Sequence, residues 1–305
     1  MTHATGVAPP GGVPAPRGVP APISVADIVA GQEILPLTAK EFAWIGTFMH
    51  RHTGVQLKAG KEFLVMGRLT QRLRHYGLRD FGSYIELLGD PGHEVEVQTA
   101  INLLTTNETY FFREPKHFAF LREAVDAFRA DPANRGRVFR LWSAASSTGE
   151  EAYTAAMVLA EAMPSGQWEI VGTDVSTRVL NVARRGLYSL AAAEKIPQPM
   201  LSRHCLRGTG EFEGQLLIDG KLRSKVSFRP GNLLESFADR EPQDIVFLRN
   251  VMIYYDNQTK QDLIARIEQV LRPGGHLLIG HSETLHGIGT DLRMVQPAVY
   301  RREAG

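Results

Sequence analysis

From about Ser24 to Gln98 apolar residues recur at helical spacing, and no strand-like alternation interrupts them. The segment TAKEFAWIGTFMHRHTG opens with Thr38, places Glu41 three residues later in the spacing of a capping box, and closes at Gly54. GKEFLVMGRLTQRLRHYG, ending at Gly77, predicts a second helix, and DFGSYIELLGD and EVEVQTAINLLT predict two shorter ones. After about Arg137 the pattern changes. RVFRLWSA, WEIVGTDV, KVSFRPGN, DIVFLRNV and GHLLIGHS are short apolar runs, interleaved with the helical stretches EEAYTAAMVLAEAM, TRVLNVARRG and NQTKQDLIARIEQV. Strands alternating with helices predict an α/β fold with a parallel sheet covered on both faces. LRPGG reads as a helix stop before the fifth strand, and the alternating RMVQPAVYRR as an antiparallel edge. LRGTGEFEGQLLIDGKLRSKVSF has four glycines and no helical face, which predicts a small antiparallel β insertion at about 205–226.

The pattern divides the chain into a disordered Pro/Gly/Ala-rich tail (1–30), an all-helical domain (31–104) and an α/β domain (105–305). Of the 305 residues 43% are hydrophobic and 22% charged, an ordinary globular composition. A net charge of +1 argues against a uniformly basic nucleic-acid binder. Cys205 is the only cysteine, so no internal disulfide framework or Cys-based zinc site forms, and a reducing cytoplasm is the expected location. No apolar run approaches the roughly 20 residues of a membrane span, and no secretory signal opens the chain.

Three stretches carry candidate chemistry. Between Lys58 and Arg79 the chain places Lys58, Lys61, Arg68, Arg72, Arg74 and Arg79 against one acid, Glu62. That is either a solvated face or a docking surface for an acidic partner. TNETYFFREPKHF joins three aromatics to Asn107, Thr109 and Arg113, polar groups that need partners when buried. Pro115 fits the first turn of the following helix, and at least one of the rings Tyr110, Phe111 and Phe112 is expected to wall a pocket. Ligands of a parallel α/β sheet sit at the carboxyl ends of the strands, and Asp174 ends the second strand, where an acid grips ribose hydroxyls or caps a helix. The loop after the first strand has a single glycine, Gly149, followed by Glu150 and Glu151. Two acids in a first helical turn repel a pyrophosphate and suit a cationic amino or sulfonium group, although Ser147–Glu150 or Thr148–Glu151 also has capping-box spacing. Asn232 and Asn250 follow further strands, and an Asn offers both donor and acceptor to an adenine edge.

Taken together, NETYFFRE, SAASSTGEEAYTAAM, GTDVS, GNLLE, FLRNVMIYYD and LRPGGHLLIGHSE resemble the CheR-type chemotaxis receptor methyltransferases over about Thr38 to Arg302. Ala152 departs from the family's usual proline, a position of convenience rather than chemistry. The resemblance implies a Rossmann-like class I methyltransferase sheet, S-adenosylmethionine as cofactor with S-adenosylhomocysteine as product, and receptor glutamates as substrate. It implies Asn107, Thr109 and Arg113 at the site lip, Glu151 on the methionine side and Asp174 on the ribose. Asn232 and Leu233 would frame the adenine, and Asn250 and Val251 the pocket floor. It further implies that Arg68, Arg72 and Arg74 face the receptor's methylation helix, and that the β insertion can add a strand to a receptor's C-terminal peptide.

A glutamate is ionised at neutral pH, so displacement at a sulfonium methyl requires no general base. Arg113 is the expected steering group for the carboxylate, with Tyr254 a second donor. The competing readings are a cofactor-sensing module without turnover, a NAD-dependent oxidoreductase and a small-molecule methyltransferase. No metal is expected: His281 and His286 lack a carboxylate cluster to complete a set.

Overall fold

The computed structural model describes residues 33–164 and 166–303, so the tail reading lies outside the described residues. Helices α1 (Ala39–Thr53), α2 (Glu62–His75), α3 (Phe81–Gly89) and α4 (Glu94–Leu104) form the helical domain around Ile45, Met49, Leu69, Phe81 and Ile101. The capping box is present: Glu41 N–H donates to Thr38 Oγ1, and Thr38 N–H donates to Glu41 Oε2 at 2.7 Å. Gly54 ends α1 at φ +75, and a Cβ there would stand 2.9 Å from Leu234 and 3.2 Å from Tyr255. Only glycine serves both the left-handed cap and this close approach to the second domain.

Two of the three arginines expected on the docking face turn inward instead. Arg72 forks onto the buried Glu96, with Nε 2.8 Å from Oε1, and Tyr84 and Tyr76 donate their hydroxyls to the same carboxylate at 2.6 and 3.2 Å. A carboxylate buried in a helical core has to be paired, and Arg72 is its counter-ion. Arg68 donates to the carbonyls of Leu104 and Thr105, closing the end of α4. Arg74 alone of the three is exposed.

Helix α5 (Pro115–Ala130) leads into β1 (Phe139–Ser143), α6 (Glu150–Ala162), β2 (Trp168–Asp174) and α7 (Thr177–Arg185). Strand β3 (Leu187–Ser189), α8 (Gln198–His204), β4 (Cys205–Arg207), β5 (Gln215–Ile218) and α9 (Gly220–Arg223) follow. The chain then forms β6 (Val226–Pro230), β7 (Gln243–Leu248), α10 (Asn257–Val270), β8 (Leu271–Ile279), β9 (Arg293–Gln296) and β10 (Val299–Arg301). The main sheet has the order β6-β2-β1-β7-β8-β10-β9, parallel from β6 to β8. Leu141, Ile245, Phe247 and Leu278 pack on one face with α5 and α6, and Trp142, Val246, Leu248 and Leu277 on the other with α10, the period of two that strands impose.

Two expectations need correction. The small sheet is three-stranded, β3-β5-β4, and begins at Leu187 rather than near 205; the segment read as having no helical face also contains α9. LRPGG belongs to β8, where a register shift opposite Gln243 and Ile245 accommodates it. The expected antiparallel C-terminal edge is present, as the paired strands β9 and β10.

Removing Arg72 leaves Glu96 buried without its counter-ion. We expect Arg72→Ala to destabilise the protein by on the order of 3 kcal/mol, and Arg74→Ala to leave the urea midpoint unchanged. Burial by itself raises the Glu96 pKa, but bonds from Arg72, Tyr84 and Tyr76 outweigh it and hold the group below its ordinary value. Its contribution is therefore complete above the ordinary carboxylate range and fades as pH falls through the depressed value. Equal midpoints for wild type and Arg72→Ala would refute the pairing.

Candidate active site

One cavity of about 570 Å³ lies where the helical domain meets the carboxyl ends of β1, β2, β6 and β7. This is where the strand order reverses, between β1 and β7. Asn107, Thr109, Arg113, Glu151, Asp174, Asn232, Leu233, Asn250, Val251 and Tyr254 all line it, as does Arg68; Arg72 and Arg74 do not.

Asp174 ends β2 with both oxygens engaged by backbone: Ser147 N–H donates to Oδ2 and Ser176 N–H to Oδ1, each at 2.9 Å. Each oxygen keeps a second lone pair for a ligand hydroxyl. Burial pushes the Asp174 pKa up, against the opposing pull of these backbone bonds. Glu151 takes the Ser143 hydroxyl on Oε1 at 2.6 Å and Arg249 Nη1 on Oε2 at 2.8 Å. Glu150 points elsewhere: it accepts from Thr148 Oγ1 at 2.6 Å and is absent from the cavity wall. Neither capping box forms. The N-cap of α6 is Gly149 at φ +96, without a side-chain cap, and a Cβ there would meet Ala183 at 2.8 Å. The amide of Asn232 is occupied at both ends, donating to His52 O at 2.8 Å and accepting from Leu234 N–H at 3.0 Å. Its side chain thus fastens the helical domain to the cavity wall and keeps one N–H and one lone pair for a ligand.

The aromatic segment resolves differently from expectation. Phe111 is fully buried against Tyr188, Phe112 packs on Phe118, and Tyr110 is 42% exposed; none of the three rings lines the cavity. Phe112 (φ 56) and Glu114 (φ 57) are left-handed on either side of Arg113. This double twist turns Phe111 and Phe112 to the core while Arg113 reaches the cavity, its Nη1 bonded to Glu108 O at 2.8 Å. Pro115 takes the first turn of α5, as its fixed φ favours.

Sequence reasoning missed two charged groups. Arg249, its side chain 1% exposed, directly follows the apolar second half of β7, Ile245–Leu248, and bridges Glu151 and Glu114. Glu283 accepts backbone N–H bonds from Gly280, Asn250 and Ile253, and burial raises its pKa despite them. An arginine closing a strand with the run DIVFL was the available signal, since a charge placed there demands partners. The structure also sets Glu114 and His117 beside His281, all three with ligand atoms within 4.8 Å, a carboxylate neighbour that the His281–His286 reading did not foresee. The cation in contact with Glu114 is Arg249, 3.1 Å from Oε2, which works against a metal ion there.

The family described as CheR methyltransferase, SAM binding domain, matches residues 107–300, and its all-alpha domain matches residues 40–105. A chemotaxis protein methyltransferase of Escherichia coli (strain K12) is 41% identical over 82% of this chain and 86% of its own length. Chemotaxis protein methyltransferase 2 of Pseudomonas aeruginosa is 40% identical over 89% of this chain and 96% of its own. The chain belongs to the CheR methyltransferase family. It is an S-adenosylmethionine-dependent methyltransferase, and the cavity fits that cofactor in size and charge: buried carboxylates for cationic groups, with Leu233, Val251 and Ala144 as apolar wall. No described helix of this CheR chain is long and apolar enough to cross a membrane.

Asp174→Ala should weaken S-adenosylhomocysteine binding by about 10- to 100-fold, the worth of hydrogen bonds to a charged group. In the wild type a protonated Asp174 loses an acceptor, and its raised pKa means that this loss starts above the ordinary aspartate range as pH falls. Calorimetric titrations from about pH 8 down to about pH 4, the ordinary aspartate value, should show progressive weakening; a flat profile would exclude Asp174 as a ligand group.

Proposed function

We propose that this methyltransferase esterifies glutamate side chains of chemoreceptor cytoplasmic domains, forming γ-glutamyl methyl esters. The observation that carries this reading is the charge order along one cavity. The inner carboxylates of Asp174 and Glu151 give way to exposed Lys58 and Lys61 toward solvent, with Arg68 and Arg113 also on the wall, against one exposed acid of the described lining, Glu108. A cationic cofactor inside and an anionic acceptor arriving from outside suit that order.

The cofactor, when bound, supplies an activated methyl on a sulfonium sulfur. A glutamate of ordinary pKa, about 4.3, is already a nucleophile at neutral pH. No histidine is among the described lining residues, and none is needed as a base. The work of the chain is then to strip water from the carboxylate and aim it. Arg113 positions the carboxylate and Tyr254, on the same wall, offers a second donor; Asn107 and Thr109 complete the lip. Asp174 holds the ribose, Glu151 the amino-acid end, Asn232 and Leu233 the adenine, and Asn250 and Val251 the floor. Arg74 and the exposed lysines remain for docking the methylation helix, with Arg68 and Arg72 supporting that face from within. Strand β4, at an edge of the small sheet, is the place for a receptor's C-terminal peptide to add a strand.

Tritiated methyl transfer to a receptor cytoplasmic fragment, scored as base-labile methanol, tests the reaction; label that survives base would sink the glutamate assignment. Arg113→Ala should lose turnover by about 100-fold or more while cofactor affinity changes by less than about tenfold, the split expected of a group that acts on the acceptor. A cofactor-sensing module would show binding with no transfer at all.

A further inference from the structure

Arg249 is itself on the cavity wall, but its placement does more than contact with a cofactor requires. Its side chain is 1% exposed at the end of β7, flanked by the rings of Phe118 and Phe247 at 5.5 and 5.8 Å. Nη1 donates to Glu151 Oε2 at 2.8 Å. Nη2 donates to Glu114 Oε2 at 3.1 Å and to the carbonyl oxygen of Arg113. One planar fork therefore touches the carboxylate on the cavity wall and the backbone of the residue that reaches for the acceptor. Lysine has the charge but no planar fork to satisfy three acceptors in fixed directions.

The turn around Arg113 needs such a hold. Its neighbours Phe112 and Glu114 are both left-handed, a conformation that side chains with a Cβ adopt only where the surroundings enforce it. Arg249 grips this turn at the Arg113 carbonyl and at the Glu114 side chain. Two carboxylates against one guanidinium also leave one negative charge in excess beside the cavity.

We infer that Arg249 is a positioning residue for methyl transfer: its buried guanidinium locks the turn that presents Arg113 and, with the same fork, sets the orientation of Glu151. The inference rests on the proposed roles of Arg113 and Glu151 in that cavity. Two substitutions separate its arms. Arg249→Lys keeps the charge and breaks the fork. It should weaken S-adenosylhomocysteine binding by about tenfold, the loss of one charge-assisted bond. It should also lower kcat at saturating cofactor by about 100-fold. Glu114→Ala, outside the cavity wall, loosens the turn and gives up only a long 3.4 Å contact from Asn250 Nδ2 on the cavity side: kcat falls by about tenfold or more while cofactor affinity stays within about threefold. Thermal melting is recorded for each variant, and rates are expressed per folded protein. Arg249→Lys with both affinity and kcat within about threefold of wild type overturns the inference, as do losses fully accounted for by the unfolded fraction. If Arg249→Lys does not fold, the kcat-only loss in Glu114→Ala decides for the inference and its absence decides against. A wild type that binds cofactor yet labels no glutamate would instead refute the substrate reading, and the cofactor arm of Arg249→Lys would still decide this one.

Discussion

A guanidinium removed from water must find fixed partners, and at the centre of this protein that requirement organises three chain segments at once. Arg249 sits at the end of a strand whose residues are all buried. Its acceptors come from the first turn of α6, from the residue that caps α5 and from the backbone between the helical domain and α5. An uncompensated charge in such a place costs several kcal/mol, so strand, helix starts and connecting segment are held in one arrangement rather than a family of them. The cavity takes its shape from that arrangement.

The helical domain completes the cavity as a roof. Gly54 leaves no room for a Cβ beside Tyr255, Gln56 N–H donates to Tyr254 O at 2.9 Å, and Asn232 reaches the His52 carbonyl. His50 Nε2 lies 3.0 Å from Asp256 Oδ2. Arg68 ties the roof to the carbonyls of Leu104 and Thr105, the residues that lead into the segment carrying Asn107 and Arg113. A carboxylate nucleophile gains reactivity when water is excluded, and on the proposed reading a roof built from the same domain that carries Arg74 and the exposed lysines would join docking to desolvation.

What could be read in advance depended on the range of the interaction. Thr38 and Glu41 are three residues apart, so the start of α1 was legible in one turn of sequence. The parallel strands were legible because they are buried on both faces and appear as apolar runs. Strand β3 was not, since three residues after a helix have no alternation to show, and their pairing with β5 is made across the intervening α8 and β4. Arg72 looked like a free cation because Glu96 stands 24 positions away and reaches it only through the fold of two helices. The cavity residues themselves were placed by family resemblance and by strand ends; of the side chains that hold them, Arg249 acts across far longer separations and left only a charge at the end of an apolar run as a trace, and Glu283 reaches Asn250 across 33 positions.

Backbone strain follows the same map. Five non-glycine residues among those described have positive φ; two of them, Ser147 and Asn250, line the cavity, and two more, Phe112 and Glu114, flank Arg113 on its wall. Each is fixed by a side chain from another element. Phe112 N–H donates to Thr154 Oγ1, Ser147 N–H to Asp174, and Asn250 N–H to Glu283, while the carboxylate of Glu114 is held by Arg249. Left-handed backbone of this kind costs on the order of 1 kcal/mol or more per residue and persists only where the surroundings over-determine it. Two of the fixing carboxylates, Asp174 and Glu283, are themselves raised in pKa by burial, so the site concentrates unfavourable terms that the hydrophobic packing of the sheet must offset. That concentration is what a rigid transfer site requires: donors and acceptors aimed before the ligand arrives, with little reorganisation left for the moment of reaction.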